Sequence, residues 1–69
     1  MARRANSVTA PRRIRVAVRR MVLRDGVSAS ARVLGIGREH ALAIAGDLPV
    51  PPAVVLYVTT QLRDLDQAA

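Results

Sequence analysis

Apolar residues recur at helical spacing in four stretches of the chain, separated by glycine and proline. The first carries Ile14, Ala17, Val18, Met21 and Val22, the i, i+3, i+4, i+7, i+8 order that lines one face of a helix. Pro11 has a fixed φ suited to a first turn, and Thr9 is a candidate N-cap. Asp25-Gly26 closes the stretch, with Gly26 able to take the left-handed position after the last turn. Residues 13–19 also alternate roughly by twos, as a strand would. The helical stripe continues through Met21 and Val22, where the alternation fails, so the spacing predicts a helix.

The second stretch opens at Val27 or Ser28, with Ser28 as its cap, and runs through Ala29, Ala31, Arg32, Val33 and Leu34 to Gly35. Gly35-Ile36-Gly37 is a turn with one apolar residue between two glycines. A third helix is expected over Arg38 to Ala45, with Leu42 and Ile44 available for packing and Gly46 as its stop. Asp47 to Pro52 holds three prolines and cannot be regular helix. Pro52 suits the start of a fourth helix to about Leu65, whose apolar residues Val54, Val55, Leu56, Tyr57, Val58, Leu62 and Leu65 cover more than one face. The pattern predicts an all-α fold, a compact bundle of about four short helices. Residues 1–8 read as a flexible basic arm, 9–66 as the single helical domain and 67–69 as a frayed end.

Length and charge sharpen this. A chain of 69 residues buries only about 60% of the surface it exposes when unfolded, so it needs support beyond its own core. There is no cysteine and one histidine, His40, so neither disulfides nor a metal site offers that support, and no cofactor is expected. Association with a second copy, or with something else, is the help left. Eleven arginines and no lysine face five acids, for a formal charge of +6. Six of those arginines, Arg12, Arg13, Arg15, Arg19, Arg20 and Arg24, fall within thirteen residues, mostly opposite the apolar stripe. Like charges packed so densely repel unless an anion meets them, which points to phosphate or another acidic partner. Tyr57 is the sole aromatic, too little for stacking single-stranded bases. No 18-residue apolar run exists and no uninterrupted apolar stretch follows the basic start, so neither a membrane span nor a secretory signal is expected. The expected location is the cytoplasm, on the nucleoid or, for a phage-encoded chain, in the host.

The middle of the chain carries the functional signal. Ala31, Leu34-Gly35-Ile36 and Ile44, flanked by short helices, resemble the helix-turn-helix of small phage and bacterial DNA-binding regulators over about Val27 to Gly46. Two helices crossing at roughly a right angle leave room only for a small residue at Ala31. Gly35 gives the turn its backbone freedom, and Leu34, Ile36 and Ile44 fill the wedge. Gly37 stands where such motifs often carry a capping Ser or Thr, and Ala41 where they often carry Val or Ile. The resemblance implies a sequence-specific regulator, most simply a repressor, that lays helix 38–45 in the major groove of double-stranded DNA. Groove-facing positions would be Gly37, Arg38, Glu39, Leu42 and Ala43, with Arg38 pairing bidentately with guanine and Glu39 accepting from cytosine. Arg12, Arg13 and Arg32 would clamp phosphates, with Ser28, Ser30 and His40 as weaker contacts, and Arg3 and Arg4 would enter a minor groove. Val54, Leu56 and Tyr57, left over on the last helix, would form a two-fold homodimer interface. Two recognition helices would then meet a palindrome at a spacing of about 34 Å.

Other readings compete. Residues 13–19 as a groove-entering strand would make a ribbon-helix-helix DNA binder. The apolar helix 52–65 would also serve a small adaptor that binds a protein partner. A membrane-surface peptide is excluded by Gly35, Gly37 and the prolines, which break any long amphipathic helix. Catalysis finds no footing, because Asp25, Glu39, Asp47, Asp64 and Asp66 have no base beside them, and Gly35-Ile36-Gly37 lacks the third glycine of a phosphate cradle.

Overall fold

Ile14 and Val18, one turn apart on the first stripe, are buried against Leu34, Ile44, Val50 and Val58, so every later stretch of the chain closes on the first helix. The computed structural model describes residues 7–68. They form α1 (Arg12–Asp25), α2 (Val27–Leu34), α3 (Arg38–Ala45) and α4 (Pro52–Ala68), with no strand among the described residues. The fold is an all-α bundle. Residues 13–19 lie within α1, which removes the ribbon-helix-helix reading: Ile14, Val18 and the half-buried Met21 and Val22 reach the core together only at helical spacing.

Several ends differ from expectation. Pro11, not Thr9, is the N-cap of α1, and no side chain caps that helix. Val8, the end of the expected arm, is held in place. Val8 and Val50 exchange reciprocal backbone hydrogen bonds of 2.8 Å, which pins the entry to α1 against the connection before α4 and buries Ala10 and Val50. Residues 1–6 of the expected arm lie outside the described residues. α4 continues through Gln67 to Ala68, past the expected fraying point.

One glycine joins α1 to α2. Gly26 has φ 91° and ψ 159°, so it takes an extended, positive-φ conformation reserved for glycine and not the left-handed helical one. It is also the N-cap of α2, a place expected for Ser28, which lies inside the first turn. That change relocates Ser30 as well. Its side chain is buried and its hydroxyl donates to the Gly26 carbonyl at 2.8 Å.

α2 and α3 end in the same backbone device. The N–H of Ile36 donates to the Ala31 carbonyl (3.0 Å) and that of Gly35 to the Arg32 carbonyl (3.2 Å), the paired bonds of a Schellman ending with Gly35 left-handed at φ 73°. At the end of α3, Leu48 donates to Ala43 (2.8 Å) and Asp47 to Ile44 (3.2 Å). There the left-handed residue is Asp47, at φ 65°, and the expected stop, Gly46, has a negative φ.

Asp47 then anchors α3 to α1. Arg15 Nη1 and Arg19 Nη2 donate to the same Asp47 oxygen, Oδ1, at 2.8 and 2.6 Å. Their Nε atoms donate to the carbonyls of Ala10 (2.9 Å) and Ala45 (2.8 Å), so each arginine bridges a charge and a backbone end. Two of the six α1 arginines therefore find their anion inside the chain. A third, Arg24, pairs with its neighbour Asp25 at 2.8 Å.

Candidate nucleic-acid interface

The geometry that matters is the α2–turn–α3 pair. Ala31 and Leu34 of α2 and Ala41 and Ile44 of α3 are buried, and half-buried Ile36 packs between them from the turn. Ala41 is fully buried, so its small size suits the close approach of α3 to its neighbours. The turn has a second constraint that the sequence did not signal. A Cβ built on Gly35 would lie 2.8 Å from Cε2 and Oη of Tyr57, because α4 rests its only aromatic ring on this glycine. Gly35 is thus required by its backbone and by the ring above it.

With Ala41 and Ile44 inward, the outward face of α3 is Arg38, Glu39 and Leu42, and Leu42 is 52% exposed. Gly37 caps α3 in an extended conformation without a side-chain bond. The Glu39 carboxylate folds back towards it, 3.5 Å from where a Cβ on Gly37 would stand, a favourable place for a negative charge at a helix N-terminus. Arg38 is exposed, and its Nη1 lies 3.4 Å from the Ser28 hydroxyl at the start of α2. These side chains bring the starts of both helices to one surface.

Other expected contacts are placed elsewhere. Ala43 is half-buried and packs on the core, so it is not free for the expected groove contact. His40 is also half-buried and turns towards α4, where it shares a shallow hollow with Gly35, Ile36, Ala53, Val54 and Tyr57. Ser30 is withdrawn by its bond to Gly26 and offers no phosphate contact. Arg12, Arg13 and Arg32 are exposed, and among the described residues none of them is in an ion pair. Arg3 and Arg4 lie outside the described residues. Of the three residues expected at a dimer interface, Val54 packs half-buried on the core, Tyr57 covers Gly35 yet stays 49% exposed, and Leu56 is 70% exposed.

The electrostatics divide the arginines by task. The Asp47 carboxyl is held below its usual range, chiefly by the hydrogen bond from Arg15, with the charges of Arg19 and Arg15 adding to it and desolvation opposing. Asp25 is lowered by the hydrogen bond from Arg24, whose own proton is held more tightly in return. Arg15, Arg19 and Arg24 are committed to acids of the chain, whereas among the described residues Arg12, Arg13, Arg20, Arg32 and Arg38 are exposed and in no ion pair. Among the described residues no helix is long and apolar enough to cross a membrane. Nor do three acidic or histidine side chains gather there as a metal site. No protein-family model, curated protein or solved structure matches this chain.

Proposed function

We propose that the chain is a helix-turn-helix DNA-binding regulator that places the Arg38–Leu42 face of α3 in the major groove of double-stranded DNA. The observation that carries this reading is the glycine-hinged α2–α3 pair, which buries Ala31, Leu34, Ala41 and Ile44 and leaves Arg38 and Leu42 outward on a basic body. A groove about 12 Å wide admits one helix, and a guanidinium at the helix start reaches guanine O6 and N7. Arg32 on the outer face of α2 and Arg12 at the start of α1 supply phosphate contacts that orient the reading helix. Leu42 adds apolar contact, as to a thymine methyl. So small a reading head draws much of its affinity from the backbone, which makes binding strongly salt-dependent. Repression by occlusion of a promoter is the simplest use of such a module.

The test is selection of a randomised duplex pool at moderate and high salt. Enrichment of one sequence is the expected result. Retention without enrichment would reduce the protein to a basic DNA-coating module, and no retention at low salt would end the reading. Within an enriched site, Arg38→Ala should cost about 1–3 kcal/mol and relax preference at one base pair. Arg32→Ala should weaken all sequences alike and lower the salt slope by about one unit. Identical behaviour of the two variants would displace α3 from the groove.

A further inference from the structure

α4 packs on the core as far as Leu62, and its apolar stripe runs one turn further. Val58 is fully buried and Val54 and Val55 pack beside it, but the same stripe continues through Leu62 and Leu65, four and seven positions on. Leu62 is half-buried and Leu65 is 44% exposed. Between this half of α4 and α1 runs a groove of about 380 Å³, floored by Ile14, Ala17 and Leu62 and rimmed by Arg13, Arg63 and Asp66. An apolar stripe that continues past its own core beside an open groove is the kind of surface that association covers.

The charges identify the occupant. Arg63 and Asp66 stand three positions apart on one flank of the stripe, and among the described residues neither is in an ion pair. Such a flank is self-complementary. When two α4 helices cross antiparallel about a two-fold axis, each flank meets its own copy, so Arg63 faces Asp66 of the partner subunit and Asp66 faces Arg63 of the partner subunit. The pairs Leu62–Leu65 and Arg63–Asp66 are centred one residue apart along the helix, so a single axis serves both. Asp64 and Asp66 also make this end of α4 the acidic part of a chain whose formal charge is +6, the place where arginines of another copy approach without repulsion.

We propose that a second copy of this chain occupies the α1–α4 groove, with the halves of α4 around Leu62 and Leu65 packed antiparallel and the Arg63–Asp66 flanks paired reciprocally. The interface is distinct from the outward face at Leu56 and leaves α2 and α3 uncovered. It does not rest on DNA binding and is tested without DNA.

Sedimentation equilibrium of the full chain, from micromolar to hundreds of micromolar, reads the association, with circular dichroism confirming that each variant is folded. The wild-type chain should dimerise. Leu65→Asp should raise the dissociation constant at least about tenfold. Arg63→Asp and Asp66→Arg should each weaken the dimer and Arg63→Asp/Asp66→Arg together should restore it, whereas Leu56→Asp should change nothing. The single change Arg63→Asp is informative because it lowers the net charge and would, by bulk electrostatics alone, favour association. A wild-type chain that stays monomeric overturns the proposal and leaves the groove to a different protein. A dimer indifferent to Leu65→Asp, unrestored in the double variant or lost with Leu56→Asp overturns it equally.

Discussion

The ends of α2 and α3 are closed by the same pair of backbone hydrogen bonds, yet one uses a glycine and the other an aspartate. At Gly35 the left-handed residue must also be small, because Tyr57 lies where its Cβ would be. At Asp47 the left-handed residue must carry a carboxylate, because Arg15 and Arg19 converge on it from α1. Aspartate is one of the few residues other than glycine that tolerates this conformation. The comparison separates a turn shaped by clearance from one shaped by charge. The first sets how α3 leaves α2, and the second fixes the far end of α3 to α1, so the outward face of α3 is held at both ends.

The largest effect is expected at the clearance turn. Gly35→Ala carries about 1–2 kcal/mol for left-handed backbone. Displacing the Tyr57 ring brings the total to about 2–3 kcal/mol, enough to lower Tm by more than about 10 °C in a domain of this size. The two contributions are separable by a double-mutant cycle. In a Tyr57→Ala background the cost of Gly35→Ala should fall by roughly 1 kcal/mol, since only the backbone term remains. A cost that is the same in both backgrounds would mean that the ring moves aside freely and that φ alone demands glycine.

At the charged turn the effects are smaller, because Asp47 and its arginines are substantially exposed and such pairs contribute little each. Asp47→Asn retains the conformational tolerance but loses both ion pairs, and should lower Tm by a few degrees. Asp47→Gly loses the same pairs while relieving the backbone, so it should be less harmful than Asp47→Asn. If the turn is held by its shape and not by its charge, Asp47→Asn should cost nothing and Asp47→Gly should stabilise. The pH dependence has a definite sign. A carboxyl whose pKa is depressed by folding stabilises the protein above its unfolded pKa, and that stability is lost as pH falls through the folded value. The gap between wild type and Asp47→Asn should therefore be full at neutral pH and vanish in acid below the ordinary carboxylate range. High salt should narrow it as well.

The contrast between the turns also marks what the amino-acid pattern could reveal. Four helices and the glycine turn at Gly35 follow from local spacing, because helix faces repeat every few residues and a turn announces itself by its glycine, whereas Leu42, which spacing makes available for packing with Ile44, faces outward. The Asp47 anchor does not follow from spacing, because its partners lie 32 and 28 residues away and nothing local distinguishes Arg15 and Arg19 from Arg12 or Arg20. Nor does local spacing show that the residue after the expected stop, Gly46, takes the left-handed position, which Asp47 holds. Ser28 and Ser30 are both expected to contact phosphate, yet two positions apart in α2 they lie about 200° apart, so one is outward and the other buried.

The smallest effect is expected just beyond the clearance turn, where glycine is not needed. Gly37 has φ −71° and ψ 156°, ordinary extended values for an N-cap, and a Cβ there would meet only the Glu39 carboxylate at 3.5 Å. A serine hydroxyl at this position would accept from the N–H groups of the first turn of α3, which have no side-chain cap. It would also restrict the unfolded chain. Gly37→Ser should therefore stabilise the protein by about 0.5 kcal/mol, a rise of a few degrees in Tm. Adding a side chain at two glycines separated by one residue would then move stability in opposite directions. If Gly37→Ser destabilises instead, the folded-back Glu39 carboxylate is the better partner for those N–H groups, and Glu39→Gln should lose stability where Gly37→Ser failed to add it.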